Sequence, residues 1–166
     1  TTDLANLTIG ISLDTTNSTL INSTHGGNVR FVDYTNSTLY SFETDYLNTS
    51  ANTTYWVSLP TITAGTVSTT PLYAYFCDPT TTIDGSNGPA TWPQYSEVWH
   101  FQNMTGFNFS SSTGVTTLNG SDTMTAIINA SCKYGACVYV NQTRYFEVAE
   151  TKYANWTGMA TTFIYN

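Results

Sequence analysis

The asparagines are the residues whose spacing specifies chemistry most clearly. Twelve of the fifteen open an N-x-S/T sequence, the acceptor of N-linked glycans. Serine and threonine fill 48 of the 166 positions, so chance would give roughly four or five such sequons. The excess predicts an extracellular glycoprotein whose acceptor asparagines face the solvent. The twelve are Asn6, Asn17, Asn22, Asn36, Asn48, Asn52, Asn103, Asn108, Asn119, Asn129, Asn141 and Asn155.

Other residues that could carry chemistry are few and dispersed. The eleven aspartates and glutamates are spread along the chain, and their spacing does not select the carboxylate pair that a glycosidase needs. His25 and His100 have no cysteine or carboxylate at metal-ligand spacing, so both are expected to be structural. We therefore expect no catalytic, cofactor-binding or metal-binding residues, and a protein that is not an enzyme.

Four tryptophans could form a sugar-binding platform, because flat aromatic rings stack on sugars. Packing in the core is the simpler use of such large side chains, and we favour it. Trp99 lies between Val98 and His100 in a predicted strand and is expected to be packed. Trp92, in a proline-rich loop, and Trp156, inside a sequon, are expected to be the more exposed ones.

The cysteines predict at most one disulfide in a monomer, because there are three of them. Cys132 and Cys137 flank a segment with Gly135, which is typical of a hairpin loop, and we expect a disulfide between them. The two lie on opposite sides of alternating strands, so this pairing needs a bulge or a shifted register. Cys77 ends an apolar strand and is expected to be buried and free.

The composition excludes some classes of partner. Charged residues make up 9% of the chain, and four basic residues stand against eleven acidic ones, giving a net charge of −7. Such a chain has no basic patch to neutralise phosphates, so we expect no nucleic acid partner. No apolar run approaches the eighteen or so residues of a membrane-spanning helix, so no membrane span is expected.

Alternation with a period of two dominates the chain and predicts β-strands. The clearest example places four apolar residues between polar ones: Leu7, Ile9, Ile11 and Leu13. Further strands are predicted at 28–33, 39–43, 53–59, 72–77, 97–102, 123–131, 138–148 and 160–165. Irregular structure is predicted at 78–93 and 107–121. Many short strands predict an all-β fold, a single antiparallel β-sandwich of Greek-key, pilin-like or immunoglobulin-like type.

Five segments occur in a characteristic order: NVRFVD at 28–33, YWVSLP at 55–60, AG at 64–65, LYAYFCDP at 72–79 and SEVWHF at 96–101. The ordered set, over roughly residues 4–101, resembles a domain-of-unknown-function β-sandwich family of archaeal and bacterial surface proteins that often precedes laminin G-like domains. The resemblance implies a sandwich on a secreted protein and transfers no catalytic residue. Members of that family carry one more strand ahead of the one matching residues 7–13, and this sequence has no counterpart for it.

The missing strand motivates a structural hypothesis. A sandwich that lacks a strand exposes an apolar groove and unpaired backbone groups. A strand from a neighbouring subunit can fill the groove, and head-to-tail repetition of that contact builds a fibre. We therefore predict a structural subunit of an extracellular, heavily N-glycosylated surface filament, in type resembling glycosylated archaeal thread pilus subunits. Residues 1–14 are the candidate donor strand and 15–166 the β-sandwich domain, and the partners are copies of itself and N-linked glycans.

Two alternatives stay open at this point. Residues 7–13 can pair within their own sheet, in which case residues 159–165 become the candidate donor strand. The chain can also be a monomeric carbohydrate-binding or adhesion module of a cell-surface protein. In either arrangement of the first strand, Leu7, Ile9, Ile11 and Leu13 are expected to share one buried face.

Overall fold

The computed structural model of the chain describes residues 2–14, 16, 28–35, 37–45, 52–62, 64, 72–76, 78, 80–81, 83–100, 104–105, 108–114, 117–120 and 146–147. In chain order the elements are β1 (Leu4–Asp14), β2 (Arg30–Val32), β3 (Leu39–Tyr40), β4 (Phe42–Thr44), β5 (Asn52–Ile62), β6 (Tyr73–Tyr75), α1 (Gly88–Thr91), β7 (Met104–Thr105), β8 (Asn108–Ser110), β9 (Thr117–Gly120) and β10 (Phe146–Glu147). Every strand pair in these ranges is antiparallel, which confirms the predicted all-β fold.

Within the described ranges the strands form three sheets, with the orders β1-β5-β4, β3-β2-β6 and β10-β9-β8-β7. The first two sheets are joined where β3 runs into β4. Tyr40 pairs with Phe31 in one sheet, and two residues later Phe42 pairs with Val57 in the other. A chain that changes sheets at one residue in this way makes a corner between two layers. The Greek-key, pilin-like or immunoglobulin-like connectivity stays a prediction.

The core lies between these first two sheets. It consists of Val29, Phe31, Phe42, Tyr55 and Val57, each at most 2% exposed. Phe31 packs edge-on against Phe42 with ring centroids 5.3 Å apart, and Tyr55 lies 5.6 Å from Phe31. Aromatic rings prefer such tilted contacts because the positive edge of one ring meets the negative face of another. Two layers therefore share one apolar core.

Strand β1 pairs with β5 along a ladder that runs from Leu4 opposite Ile62 to Asp14 opposite Asn52. Ile9, Ile11 and Leu13 pack against the core, as the alternation predicts. Leu7 has the same parity, but its side chain is 36% exposed, so three of the four apolar residues reach the core. The strand thus pairs within its own chain, and its donation to a neighbour stays a prediction.

The backbone turns left-handed at one residue of β1. Asn6 has φ 52°, and the residues on either side of it pair with Thr61 and Leu59. Asparagine tolerates this conformation better than other residues with a side chain, because its short amide can bond locally.

Two sequence predictions about local structure are wrong. Residues 97–100 form no strand, because the Val98 N–H bonds to the Ser111 hydroxyl and its carbonyl accepts from the Ser112 N–H, outside any ladder. The range 107–121, predicted irregular, contains β8 and β9. Helix α1 has a single turn, too short for a 3.6-residue period, and its start is fixed by the Asn87 side chain accepting from the Ala90 N–H.

Candidate functional site

The face of β5 opposite the core carries a polar and aromatic cluster. In the register of the three-stranded sheet, Trp56 lies between Gly10 of β1 and Glu43 of β4. Successive strand residues point to opposite faces, so Trp56 leaves the core face to its neighbours Tyr55 and Val57. We call the group Glu43, Asp45, Trp56, Trp92 and His100 the histidine cluster.

One imidazole contacts two carboxylates at the centre of the histidine cluster. His100 Nε2 lies 3.1 Å from Glu43 Oε2, and His100 Nδ1 lies 3.5 Å from Asp45 Oδ1. Glu43 Oε2 also accepts a 2.5 Å hydrogen bond from the Trp92 indole. All three side chains are largely buried, with 16%, 15% and 6% exposure for His100, Glu43 and Asp45. A neutral imidazole donates to one partner only, whereas an imidazolium donates to both.

Aromatic rings enclose this imidazole. Trp56 stacks on His100, with ring centroids 6.0 Å apart and planes inclined by 26°. Trp92 contacts both rings, at 5.5 Å from Trp56 and 5.6 Å from His100, and Tyr95 meets Trp92 edge-on. Trp92 is 7% exposed, so the prediction of an exposed Trp92 is wrong. The reason is that the indole N–H donates a hydrogen bond to the buried Glu43 carboxylate, which holds the ring inside the protein.

The two carboxylates have opposite pKa changes. Burial raises the pKa of Glu43, but hydrogen bonds from His100, Ser112 and Trp92 outweigh it, so the net pKa is lowered from 4.5. Burial raises the pKa of Asp45 above 3.8, and the opposing interactions with His100 and Trp56 do not compensate. The Trp56 indole N–H approaches Asp45 outside the geometry of a hydrogen bond and stays unpaired.

The geometry of the histidine cluster does not match a metal centre. The two nitrogens of His100 face different carboxylates, so no common point lies within ligand distance of all three groups. Across the described ranges, no group of three or more His, Cys, Asp or Glu side chains could hold a metal ion. The arrangement keeps carboxylates in a largely buried place. Its hydrogen bonds and close polar contacts connect β4 and Asp45 with Trp92, which follows α1, and with His100.

Sequence reasoning missed the histidine cluster. The spacing of the acids selected no carboxylate pair, yet Glu43 and Asp45 are both largely buried beside one imidazole. Their spacing of two places both carboxylates on one face of an extended chain, and this spacing was the available signal. His100 comes from a distant part of the chain, however, and no spacing connects it to β4.

Four of the predicted sequons fall within the described residues. Asn6 is half-buried in β1, Asn52 is exposed at the start of β5, Asn108 opens β8 and Asn119 lies in β9. Asn28, which opens no sequon, is buried. The predictions for the remaining sites fall outside the described residues: Asn17, Asn22, Asn36, Asn48, Asn103, Asn129, Asn141 and Asn155, and the cysteines Cys77, Cys132 and Cys137.

A comparison with protein families decides the affiliation. The model of the Domain of unknown function (DUF2341) matches residues 25–124, which is more than half of the chain. The chain belongs to this family. The DUF2341 match contains β2 to β9 and the whole histidine cluster, whereas β1 lies outside it. The predicted resemblance to a family of unknown function is thus confirmed, with a matched range that begins and ends later than predicted.

No curated protein and no solved structure shows significant similarity to the chain. Among the helices in the described part, none has the length and apolar character to cross a membrane.

Proposed function

We propose that this DUF2341 protein is a structural subunit of an extracellular, N-glycosylated surface filament. In this filament β1 of one subunit completes the β1-β5-β4 sheet of the next. The proposal assigns no catalytic role to the histidine cluster, which serves to hold the acceptor sheet in shape. The archaeal thread type and the link to laminin G-like domains are part of the same proposal and rest on the sequence resemblance.

The observation that carries the proposal is the position of β1. In the part of the chain that the structure describes, β1 has β5 as its only strand partner and occupies the end of the order β1-β5-β4. An end strand can be replaced by the same strand of another copy without changing a single contact. The DUF2341 match begins after β1, which further supports treating β1 as separable from the rest.

The chain following β1 is long enough for an exchange. Thirteen residues, 15–27, separate β1 from Asn28, and most of them are Asn, Ser, Thr or Gly. A fully extended segment of that length spans at most about 45 Å, which exceeds the diameter of a small domain. An exchanged β1 would bury Ile9, Ile11 and Leu13 in its neighbour, worth roughly 4–9 kcal/mol before ordering costs.

Glycosylation follows from the same proposal. At least eight of the twelve sequons should carry sugar, so the mass of the native protein should lie well above the 18.2 kDa of the bare chain. Intact-mass measurement before and after enzymatic deglycosylation tests this expectation. A native mass of 18.2 kDa would remove the basis for an extracellular coat.

A cross-linking experiment tests the exchange of β1 directly. Ser12 of β1 faces Thr54 of β5, so cysteines at these positions lie opposite each other. Two single variants, Ser12→Cys and Thr54→Cys, are co-expressed, and disulfide-linked peptides are mapped between the chains. Exchange predicts a disulfide from position 12 of one chain to position 54 of another, and filaments in electron micrographs. Absence of that disulfide, with monomers in the micrographs, would show that β1 stays in its own subunit.

A monomeric carbohydrate-binding or adhesion module is the second candidate, favoured by an exposed aromatic pair. Tyr73 and Tyr75 lie on the outer face of β6, 45% and 48% exposed, with ring centroids 6.5 Å apart. Exposed tyrosines at this spacing can stack on sugar rings. Glycan-array binding that disappears in Tyr73→Ser/Tyr75→Ser, together with a monomeric mass, would favour this function over the filament.

A further inference from the structure

The core face of β1 does not by itself define how β1 pairs with β5. The apolar residues Ile9, Ile11 and Leu13 are similar in size and are spaced by two. A slip of two residues therefore keeps apolar side chains on the core face and polar ones on the other. Another feature has to distinguish the observed register from its neighbours.

The opposite face of β1 contains one residue without a side chain. Gly10 faces Trp56, with Thr8 and Ser12 on either side of it along the same face. A Cβ built on Gly10 would lie 3.1 Å from Cζ3 of the Trp56 indole, and 3.5 Å from Cε3 and Cη2. A side chain at position 10 would therefore press on the six-membered ring of Trp56, and the contact would tighten with each atom beyond Cβ on that side. A slip of two residues would bring Thr8 or Ser12 against that ring.

A shift of Trp56 to accept a larger residue would disturb the rings that it contacts. His100 stacks on the indole at 6.0 Å, and Trp92 lies 5.5 Å from it. Trp92 is in turn anchored by its hydrogen bond to Glu43, and His100 by its two carboxylates. Packed interiors resist such displacement, since the neighbours would have to leave their own contacts. The histidine cluster therefore acts as a rigid support behind the indole.

We propose that Gly10 and Trp56 fix the register in which β1 is accepted by β5, and that this match selects the β1 strand of a second copy of the chain. The selection of a second copy rests on the proposed filament function, whereas the register rule applies wherever β1 comes from. The hydrogen bond from the Thr8 hydroxyl to the Thr91 carbonyl, 2.8 Å, reinforces the same register. It joins β1 to α1 in the register that places Gly10 opposite Trp56.

The test moves the glycine and reads the register with pairs of introduced cysteines in the full chain. Ser12→Cys with Thr54→Cys reports the observed register, and we call its disulfide the observed-register link. Ser12→Cys with Asn52→Cys reports a slip of two residues, and we call its disulfide the slipped link. Thr54 and Asn52 belong to the same sequon, so the two reporters alter the same glycan.

Each reporter is combined with the parent sequence, with Gly10→Thr, or with the relocation Thr8→Gly/Gly10→Thr. All variants carry Asn6→Asp, because Thr8→Gly removes that sequon and Asp tolerates a positive φ. The glycan at position 6 is therefore absent from every variant and cannot account for a difference between them.

The parent is expected to form the observed-register link about tenfold more than the slipped link, because the slipped strand meets the indole. The relocation variant should reverse this preference, since its glycine faces Trp56 only after a slip of two. Gly10→Thr should lose the observed-register link without gaining the slipped one. Ala5→Thr, which adds the same side chain at an exposed position, should leave the parental preference unchanged.

Two results would overturn the inference. One is a relocation variant that keeps the parental register, and the other is a relocation variant that forms neither link better than Gly10→Thr. The filament proposal is tested separately, by the disulfides that form between chains when Ser12→Cys and Thr54→Cys are co-expressed. Observed-register links within one chain, without links between chains, would uphold the register rule and overturn the selection of a second copy.

Discussion

The two faces of β5 have different chemistry. On one face Thr53, Tyr55 and Val57 are fully buried in an aromatic and aliphatic core. On the other face Trp56 meets a glycine, a stacked imidazole and a second indole. The core face gains its free energy from the area removed from water, which does not depend on direction. The face with Trp56 also buries two indoles, but its hydrogen bonds, ion pairs and ring contacts impose distances and angles as well.

The two faces are therefore expected to determine different properties: the core face the free energy of unfolding, and the face with Trp56 the register of the strands. Apolar residues of similar size can replace one another on a core face at modest cost, because volume and pattern are what matter there. A hydrogen bond, an ion pair or a ring stacked against a glycine is satisfied by one arrangement only. We therefore expect core variants to change the free energy of unfolding most, and variants of the histidine cluster to change register and pH dependence.

The largest effect is expected on the core face. Tyr55→Ala should lower the free energy of unfolding by about 3–5 kcal/mol, because it leaves a cavity among Phe31, Phe42 and Val57. Urea unfolding followed by tryptophan fluorescence measures it. Tyr55→Phe is the matched control. The Tyr55 hydroxyl is buried without a hydrogen-bond partner, and burial together with the charge of Asp84 raises its pKa to about 12.

Removing that hydroxyl should cost less than about 1 kcal/mol or be stabilising, since an unpaired buried polar group is itself a penalty. A Tyr55→Phe variant as unstable as Tyr55→Ala would mean that the hydroxyl, and not the ring, stabilises this face.

An intermediate effect is expected for Glu43, the hub of the other face. Glu43→Gln keeps the shape but weakens the bonds from Trp92 and His100, so the free energy of unfolding should fall by about 1.5–3 kcal/mol at neutral pH. Asp3→Asn, at an exposed carboxylate just before β1, opens no sequon and should change it by less than about 0.5 kcal/mol. Equal effects of the two substitutions would show that burial of Glu43 contributes nothing.

The pH dependence distinguishes the two carboxylates of the histidine cluster. The folded pKa of Glu43 is lowered, so its stabilising contribution is present above 4.5 and is lost as the pH falls through the folded value. The folded pKa of Asp45 is raised, so its contribution is present below 3.8 and is lost as the pH rises through the folded value. The two groups therefore oppose each other as the pH is changed.

Denaturation curves of the parent, Glu43→Gln and Asp45→Asn between about pH 3 and about pH 7 test this opposition. The deficit of Glu43→Gln relative to the parent should shrink on acidification. Asp45→Asn should gain stability relative to the parent as the pH rises. Parallel curves for parent and Asp45→Asn would contradict a raised Asp45 pKa in the folded protein.

The sequence predicts the core face far better than the face with Trp56. Alternation places Tyr55, Val57 and the apolar residues of β1 on one side, because burial acts on residue type and period alone. The histidine cluster depends on His100 meeting β4 from a distant part of the chain, through a segment that forms no strand. A one-turn helix and side chain to backbone bonds direct that segment, and neither leaves a periodic pattern. The sequence does not distinguish Gly10 from other strand residues, because its pairing with Trp56 appears only in the structure.

The smallest effect is expected at Thr8, which joins β1 to the helix beside Trp92. Thr8→Val keeps the shape and removes the 2.8 Å hydrogen bond to the Thr91 carbonyl, so the free energy of unfolding should fall by about 0.5–1.5 kcal/mol. The same substitution destroys the Asn6 sequon, because Thr8 is its third residue. Asn6→Asp removes the glycan and keeps the hydroxyl, and Thr8→Ser keeps both.

The difference between Thr8→Val and Asn6→Asp therefore isolates the hydrogen bond, and the difference between Asn6→Asp and Thr8→Ser isolates the glycan. If Thr8→Val and Asn6→Asp unfold at the same urea concentration, the hydrogen bond to α1 adds nothing. The register of β1 would then depend on the contact between Gly10 and Trp56 alone, which would sharpen the contrast between a core face that supplies stability and an opposite face that supplies fit.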